Sequence, residues 1–241
     1  MNSYEQQALA GMRKWQRKMQ RRPRLTGKLT KRLQDRMNRF IPEKVHRVIT
    51  TAIKQMMRAV FFGAKYISPR PLRDAVLEVR EARVLERINF YSKTAAAEGA
   101  LTGAAGFLLG LADFPLWLTL KSKMLFDIAA LYGYDPGEYP ERLYLLYIFQ
   151  LTFSSQHHRN RVYEIMAGWE DYTRSLPEDI HQFDWRSFQQ EYRDYLDLAK
   201  MLQLVPGIGA VVGLYVNHRL TAKLGKTAMN AYRMRWFRGS E

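Results

Sequence analysis

Cysteine is absent from this chain of 241 residues. That removes disulfides, thiolate metal sites and cysteine nucleophiles together, and it fits a reducing compartment. An unbroken apolar run of membrane-spanning length is also missing. The longest, Gly99 to Ala112, holds only fourteen residues and is rich in glycine, too short for a hydrocarbon core of about 30 Å. The neighbouring run from Val205 to Val216 is shorter still. No secretory h-region follows the initiator methionine, so translocation is not expected. No stretch alternates apolar and polar residues with the period of a strand. Walker, GxSxG, HExxH and Rossmann glycine patterns are all lacking.

Acidic residues are scarce where basic ones are dense. Of a net charge of +15, residues 1–93 hold 23 Lys/Arg against seven acidic residues, residues 94–216 hold nine against fifteen, and residues 217–241 hold six against Glu241. Basic ends flank a mildly acidic middle, which points to an anionic partner. A membrane surface is favoured over nucleic acid, because no zinc finger, helix-turn-helix or RNA-binding aromatic motif accompanies the charge.

What is present reads as helix throughout, and the expected fold is an all-α multi-helix bundle around a Gly-rich apolar hairpin. From Gly11 to Phe40, Met12, Trp15, Met19, Leu25, Leu29, Leu33, Met37 and Phe40 recur at helical spacing among basic residues, with Pro23 separating two helices. This is the pattern of a membrane-surface segment. Residues 1–40 are therefore read as a basic amphipathic arm and 41–241 as the main domain. The expected contacts to anionic lipid are Arg13, Lys14, Arg17, Lys18, Arg21, Arg22, Lys28, Lys31, Arg32, Arg36 and Arg39. A C-terminal stripe of Arg219, Lys223, Lys226 and Arg233 adds to them.

The segment 94–133 is the centre of the chain. Gly99, Gly103, Gly106 and Gly110 recur at spacings of four, three and four, which places them on one helix face that a neighbour can approach closely. Gly209 and Gly213 give the last helix a matching small face. Asp113 sits where a helix N-cap belongs, with Pro115 in the first turn of a helix running to about Tyr132. Glu98, Thr102, Asp113 and Asp127 lie in or beside this apolar segment and are the candidate cleft residues. Each carboxylate also has a structural reading: Asp113 as a cap, Asp127 one helical turn from Lys123, Glu98 as the partner of a basic residue elsewhere. His157 and His158 fall in a polar loop before a short helix from Val162 to Tyr172. Their spacing is not that of a metal site, and neither metal nor cofactor is expected.

The residues also resemble a known family. Ile41-Pro42-Glu43-Lys44-Val45-His46 with Ile49-Thr50-Thr51-Ala52-Ile53-Lys54, Glu98-Gly99-Ala100 to Gly106, and Ala112-Asp113-Phe114-Pro115-Leu116 carry the resemblance. Ile128-Ala129 to Tyr132-Gly133-Tyr134-Asp135-Pro136, and Val205-Pro206-Gly207-Ile208-Gly209-Ala210 to Asn217, extend it. Together they resemble the EcsC family of bacterial proteins, in its low-GC Gram-positive form, encoded beside the Ecs ABC transporter. The resemblance implies an accessory role near that transporter's ATPase or membrane subunit, in a system linked to secretion, competence and intramembrane proteolysis. It implies no catalytic residues. The expected function is thus a non-enzymatic accessory protein at the cytoplasmic face of the membrane. The alternative is a hydrolase or a lipid- or peptide-binding protein using Glu98, Asp113 and Asp127 in an apolar cleft.

Overall fold

The computed structural model describes residues 1–21, 43–62, 69–105, 114–154, 156–178, 180–195 and 210–239. These form nine α-helices: α1 (Ser3–Gln20), α2 (Glu43–Phe62), α3 (Leu77–Ala105), α4 (Phe114–Leu131), α5 (Tyr139–Phe153), α6 (Gln156–Ala167), α7 (Trp169–Arg174), α8 (Trp185–Tyr195) and α9 (Ala210–Arg238). A 3-10 turn, Ile180–Gln182, precedes α8. The all-α expectation holds.

Two helices of 29 residues each, α3 and α9, pack along one another as the spine of the bundle. Their direction is fixed by two contacts. Glu81 pairs with Arg233 near one end, and Ile88 meets Gly225 two turns along, so the helices run antiparallel. At Gly225 a β-carbon would stand 2.5 Å from Ile88 Cγ1 and 2.8 Å from its Cδ1, closer than any side chain allows. Ile88 therefore occupies the space a side chain at Gly225 would need, and the expected glycine face did not include this position. Gly99 and Gly103 belong to α3 and Gly213 to α9, while Gly106, Gly110 and Gly209 lie outside the described residues.

Around this spine, α4 lies against α3, α2 and α9, and α5 packs on α9, α2 and α6. Residues 143–153 of α5 are buried on every side, as expected of a helix apolar all round. The α3 helix runs on past Tyr91 without interruption because Thr94-Ala95-Ala96-Ala97 contains neither proline nor glycine. His157 and His158 lie inside α6 rather than in a loop, and the helix breaks later, at Gly168. Asp184 caps α8, its Oδ1 accepting from the Ser187 N–H at 3.0 Å.

α1 begins eight residues before the basic run expected from the sequence. Asn2 and Glu5 form a reciprocal capping box, with Asn2 Oδ1 accepting from Glu5 N at 2.8 Å and Glu5 Oε2 from Asn2 N at 3.0 Å, which satisfies two of the orphan donors of the first turn. Its stripe of Ala8, Met12 and Met19 is buried in the common core, and Trp15 meets Tyr163 edge-on at 6.0 Å. The first part of the expected arm is therefore docked on the body. Residues 22–40 lie outside the described set.

Buried polar contacts lock these helices in register. Glu81 is fully buried and accepts from Arg233 Nε at 2.6 Å and Nη2 at 2.5 Å, from Tyr4 Oη at 2.6 Å and from Tyr132 Oη at 2.8 Å. Burial, reinforced by the carboxylate, pushes the Tyr4 hydroxyl up to about 12, so it stays a donor at neutral pH. A second pair, Glu141 with Arg235 at 2.6 Å, is completed by the Tyr232 hydroxyl. The Arg235 guanidinium lies 3.6 Å from the Tyr134 ring centroid. Arg80 turns inward, donating to the carbonyls of Leu72, Arg73, Ala75 and Leu131. It thereby closes the turn at Gly133, where φ is +92° and an added β-carbon would stand 3.0 Å from Leu72 O, so glycine is required.

Two stability outcomes follow from this core. Gly225→Ala should destabilise the protein by about 1–3 kcal/mol through overpacking, and Ile88→Val in the same chain should recover part of it; an unchanged denaturation midpoint would contradict the close crossing. Glu81→Gln should cost about 3–5 kcal/mol because it leaves Arg233 without its counter-ion, against about 1 kcal/mol for Tyr4→Phe, both read by chemical denaturation.

Candidate functional site

The candidate carboxylates divide along the α3–α4 seam. Asp127 on α4 accepts from Tyr91 Oη at 2.8 Å and lies 3.9 Å from Arg87 Nε. These partners come from α3 rather than from Lys123, the same-helix neighbour that the sequence offered. Glu98 is half-buried near the far end of α3, where its charge acts on Lys121 of α4. Seven residues separate Tyr91 from Glu98 on α3, about 10 Å of helical rise. The two carboxylates therefore serve different partners, and the geometry does not assemble them into one acid–base pair. Thr102 belongs to α3, and Asp113 lies outside the described residues. Among the described residues no group of three His, Asp or Glu side chains is placed to hold a metal.

Sequence reasoning missed Lys121. It interrupts the stripe Trp117, Leu118, Met124, Leu125 and Ile128, which is buried on α4. Because helical side chains tilt toward the N-terminus, Lys121 reaches back one turn, and its Nζ stands 4.2 Å from the Trp117 ring centroid. The residue has no exposed surface, and Nζ has no hydrogen-bond partner. The Trp117 indole N–H donates to Asn217 Oδ1 of α9 at 3.1 Å, and its ring packs against Phe149 and Phe153 of α5. Burial pushes the Lys121 amine well below its ordinary value near 10.5, an effect partly offset by Glu98. A lysine at an apolar position of an otherwise core-facing stripe is the signal that could have found it.

A second surface feature lies beside Asp127. Arg83, Glu86, Arg87, Phe90 and Leu131 line an open groove of about 520 Å³, and Phe90 is 56% exposed.

The basic residues expected to meet lipid divide into three groups. Arg13, Lys14, Arg17, Lys18 and Arg21 are exposed, as are Arg219 and Lys226 of α9. Lys223 is exposed as well, with its Nζ donating to the Thr152 carbonyl of α5 at 2.7 Å. Arg233 corrects the expectation outright: it is largely buried and paired with Glu81, because one turn of α9 faces α1 and α3 there. Arg22, Lys28, Lys31, Arg32, Arg36 and Arg39 lie outside the described residues. The apolar stripe of α1 is likewise used by the core and is not offered to a bilayer. Among the described residues no helix is long and apolar enough to cross a membrane.

The unpaired amine predicts a distinctive pH response. Since the folded-state value of Lys121 is lowered, the unfolded chain holds the extra proton between that lowered value and about 10.5. The residue therefore opposes folding most at the low end of this window, and the penalty fades as pH rises through it. Lys121→Met should raise the melting temperature near pH 7, with the gain over wild type shrinking toward about pH 10. A gain independent of pH would show that the amine is not desolvated.

Comparison with known proteins places these features in a family. The EcsC protein family model matches residues 6–237. Over 222 residues the chain is 40% identical to Protein EcsC of Bacillus subtilis (strain 168), covering 92% of this chain and 91% of that one. It is 32% identical over 169 residues to the uncharacterized protein YdbA of the same organism, covering 70% of this chain and 59% of that one. No solved structure matches. The helices α1 to α9, with the spine and the seam that holds Lys121, fall almost wholly within the matched span, and the chain belongs to the EcsC protein family.

Proposed function

We propose that the protein is a non-enzymatic accessory factor held electrostatically at the anionic cytoplasmic face of the membrane, where it works beside an Ecs-type ABC transporter. The observation that carries the membrane reading is the outer face of α1. Arg13, Lys14, Arg17, Lys18 and Arg21 are all exposed there, while the opposite stripe is committed to the core. Each such side chain near an anionic surface contributes about 1 kcal/mol, and five acting together suffice for reversible attachment without insertion. Family membership supports the transporter association, which the resemblance of the sequence implies. Against the hydrolase alternative, Asp127 is engaged by Tyr91 and Arg87 of α3.

Because Ala8, Met12 and Met19 are buried, removal of the whole segment would unfold the body, and charge reversal is the cleaner test. The full chain should co-sediment with vesicles containing anionic phosphatidylglycerol at low salt. It should be released near 1 M salt, where the Debye length falls to about 3 Å. The variant Arg13→Glu/Lys14→Glu/Arg17→Glu/Lys18→Glu should stay folded and remain in the supernatant. Binding that survives either treatment would overturn the electrostatic reading. Cross-linking of the full chain in cells to the transporter's ATPase or membrane subunit tests the partner, and a transporter purified free of the chain after cross-linking would remove it.

A further inference from the structure

The two sides of α3 are used differently. The side turned to the body carries Leu77, Val84, Ile88, Tyr91 and Ala95, all buried. The opposite side is open. From Val76, just ahead of the helix, a stripe of Val76, Val79, Arg83, Glu86, Phe90 and Lys93 runs along it at alternating spacings of three and four. All six are exposed, Val76 by 58%, Val79 by 43% and Phe90 by 56%. That alternation is the seam on which a second helix packs, here over about 25 Å. Large apolar side chains repeated on an open face mark a site of interaction.

The charges on the stripe say what covers it. Arg83 and Glu86 lie at its middle, and neither side chain has a hydrogen bond or ion pair among the described residues. Two copies of α3 laid antiparallel, about a two-fold axis midway between positions 84 and 85, bring together residues equidistant from that axis. Arg83 then faces Glu86 of the second copy, Val79 faces its Phe90, and Val76 meets the aliphatic stem of its Lys93. A parallel pair would instead set Arg83 on Arg83 and Glu86 on Glu86. An antiparallel register one heptad away would set Arg83 on Lys93, or Glu86 on Val76. A second copy therefore supplies the complementary pattern in one arrangement. The open groove of about 520 Å³ between this stripe and Leu131 gives it room. In that register the groove receives Val79, Ala82 and Arg83 of the second copy. Arg87 on the groove wall faces the small Ala82, and its charge is balanced within its own chain by Asp127 at 3.9 Å.

We propose that the protein forms a two-fold symmetric dimer through this stripe, with α3 of one copy antiparallel to α3 of the other. Two Arg83–Glu86 pairs lie at the centre, and Val79–Phe90 contacts flank them on either side. One pair of helices buries less than an obligate dimer does, so the association is reversible at micromolar concentration. The stripe shares no residue with the basic face of α1, so it is tested apart from membrane attachment.

The test is analytical sedimentation of the full chain, without vesicles, over about 1–100 µM. Wild type should pass from monomer to dimer across that range and go no further, because a two-fold contact closes on itself. Arg83→Glu sets like charges together twice in each dimer and should weaken association about a hundredfold. Glu86→Arg should do the same with the opposite sign. Mixed in equal amounts, the two single variants should dimerise with each other, since each carries the charge that the other lacks. The double variant Arg83→Glu/Glu86→Arg should dimerise like wild type. Phe90→Ala should weaken the dimer about tenfold, while Leu85→Ala, at a position 47% exposed on α3 but off the stripe, should leave it unchanged. If a charge reversal fails to fold, Phe90→Ala against Leu85→Ala decides alone. Wild type that stays monomeric throughout would overturn the proposal, as would a dimer that Arg83→Glu leaves intact or single variants that do not associate when mixed.

Discussion

One buried carboxylate holds together helices that hydrophobic contact alone would leave free to slide. Glu81 receives the guanidinium of Arg233 and the hydroxyls of Tyr4 and Tyr132, so a single side chain of α3 fixes α9, α1 and the end of α4. Apolar burial is non-directional and tolerates rotation or a one-turn shift. A four-donor carboxylate does not, since any shift leaves a charge buried without its partners. The same logic recurs at Glu141, where Arg235 and Tyr232 tie α9 to α5. Both arginines lie two residues apart on α9, which makes that helix the member against which the others are aligned.

Against this background Lys121 stands out. Among the described residues, the buried Arg80, Arg233 and Arg235 are satisfied from within, by carbonyls, carboxylates and aromatic faces such as Tyr134 over Arg235. On α4 it leaves one amine desolvated beside an indole. A fold this thorough in pairing its ions elsewhere has retained an expense at one place only among these buried cations.

The helical class and the helix from Phe114 were legible because each depends on local chemistry: apolar spacing, and proline in a first turn. The spine was only half legible. Small residues on two helices announce a close approach, but the tight contact the structure shows is at Gly225, a lone glycine among ordinary residues whose role depends on Ile88, 137 positions away in the chain. Burial of basic residues was not legible at all. Arg233 shares its helical stripe with Arg219 and Lys226, which are exposed, and only the arrival of α1 and α3 on that turn of α9 separates it from them. The amphipathic α1 misled for a related reason: a stripe of methionines and a tryptophan looks the same whether it will meet lipid or another helix.

The partnership of Glu81 with Arg233 spans 152 positions of sequence, and this has a consequence for how the chain is made. Synthesis proceeds from the N-terminus, so α1 and α3 emerge with Glu81 already in place and its arginine not yet translated. The acidic centre of the bundle must wait, hydrated, until α9 leaves the ribosome. Contacts of such long range are formed late because loop closure has to come first. Assembly of this bundle thus waits for α9, which acts as the keystone. A chain cut short before α9 carries, in its place, an open seam and an orphaned charge.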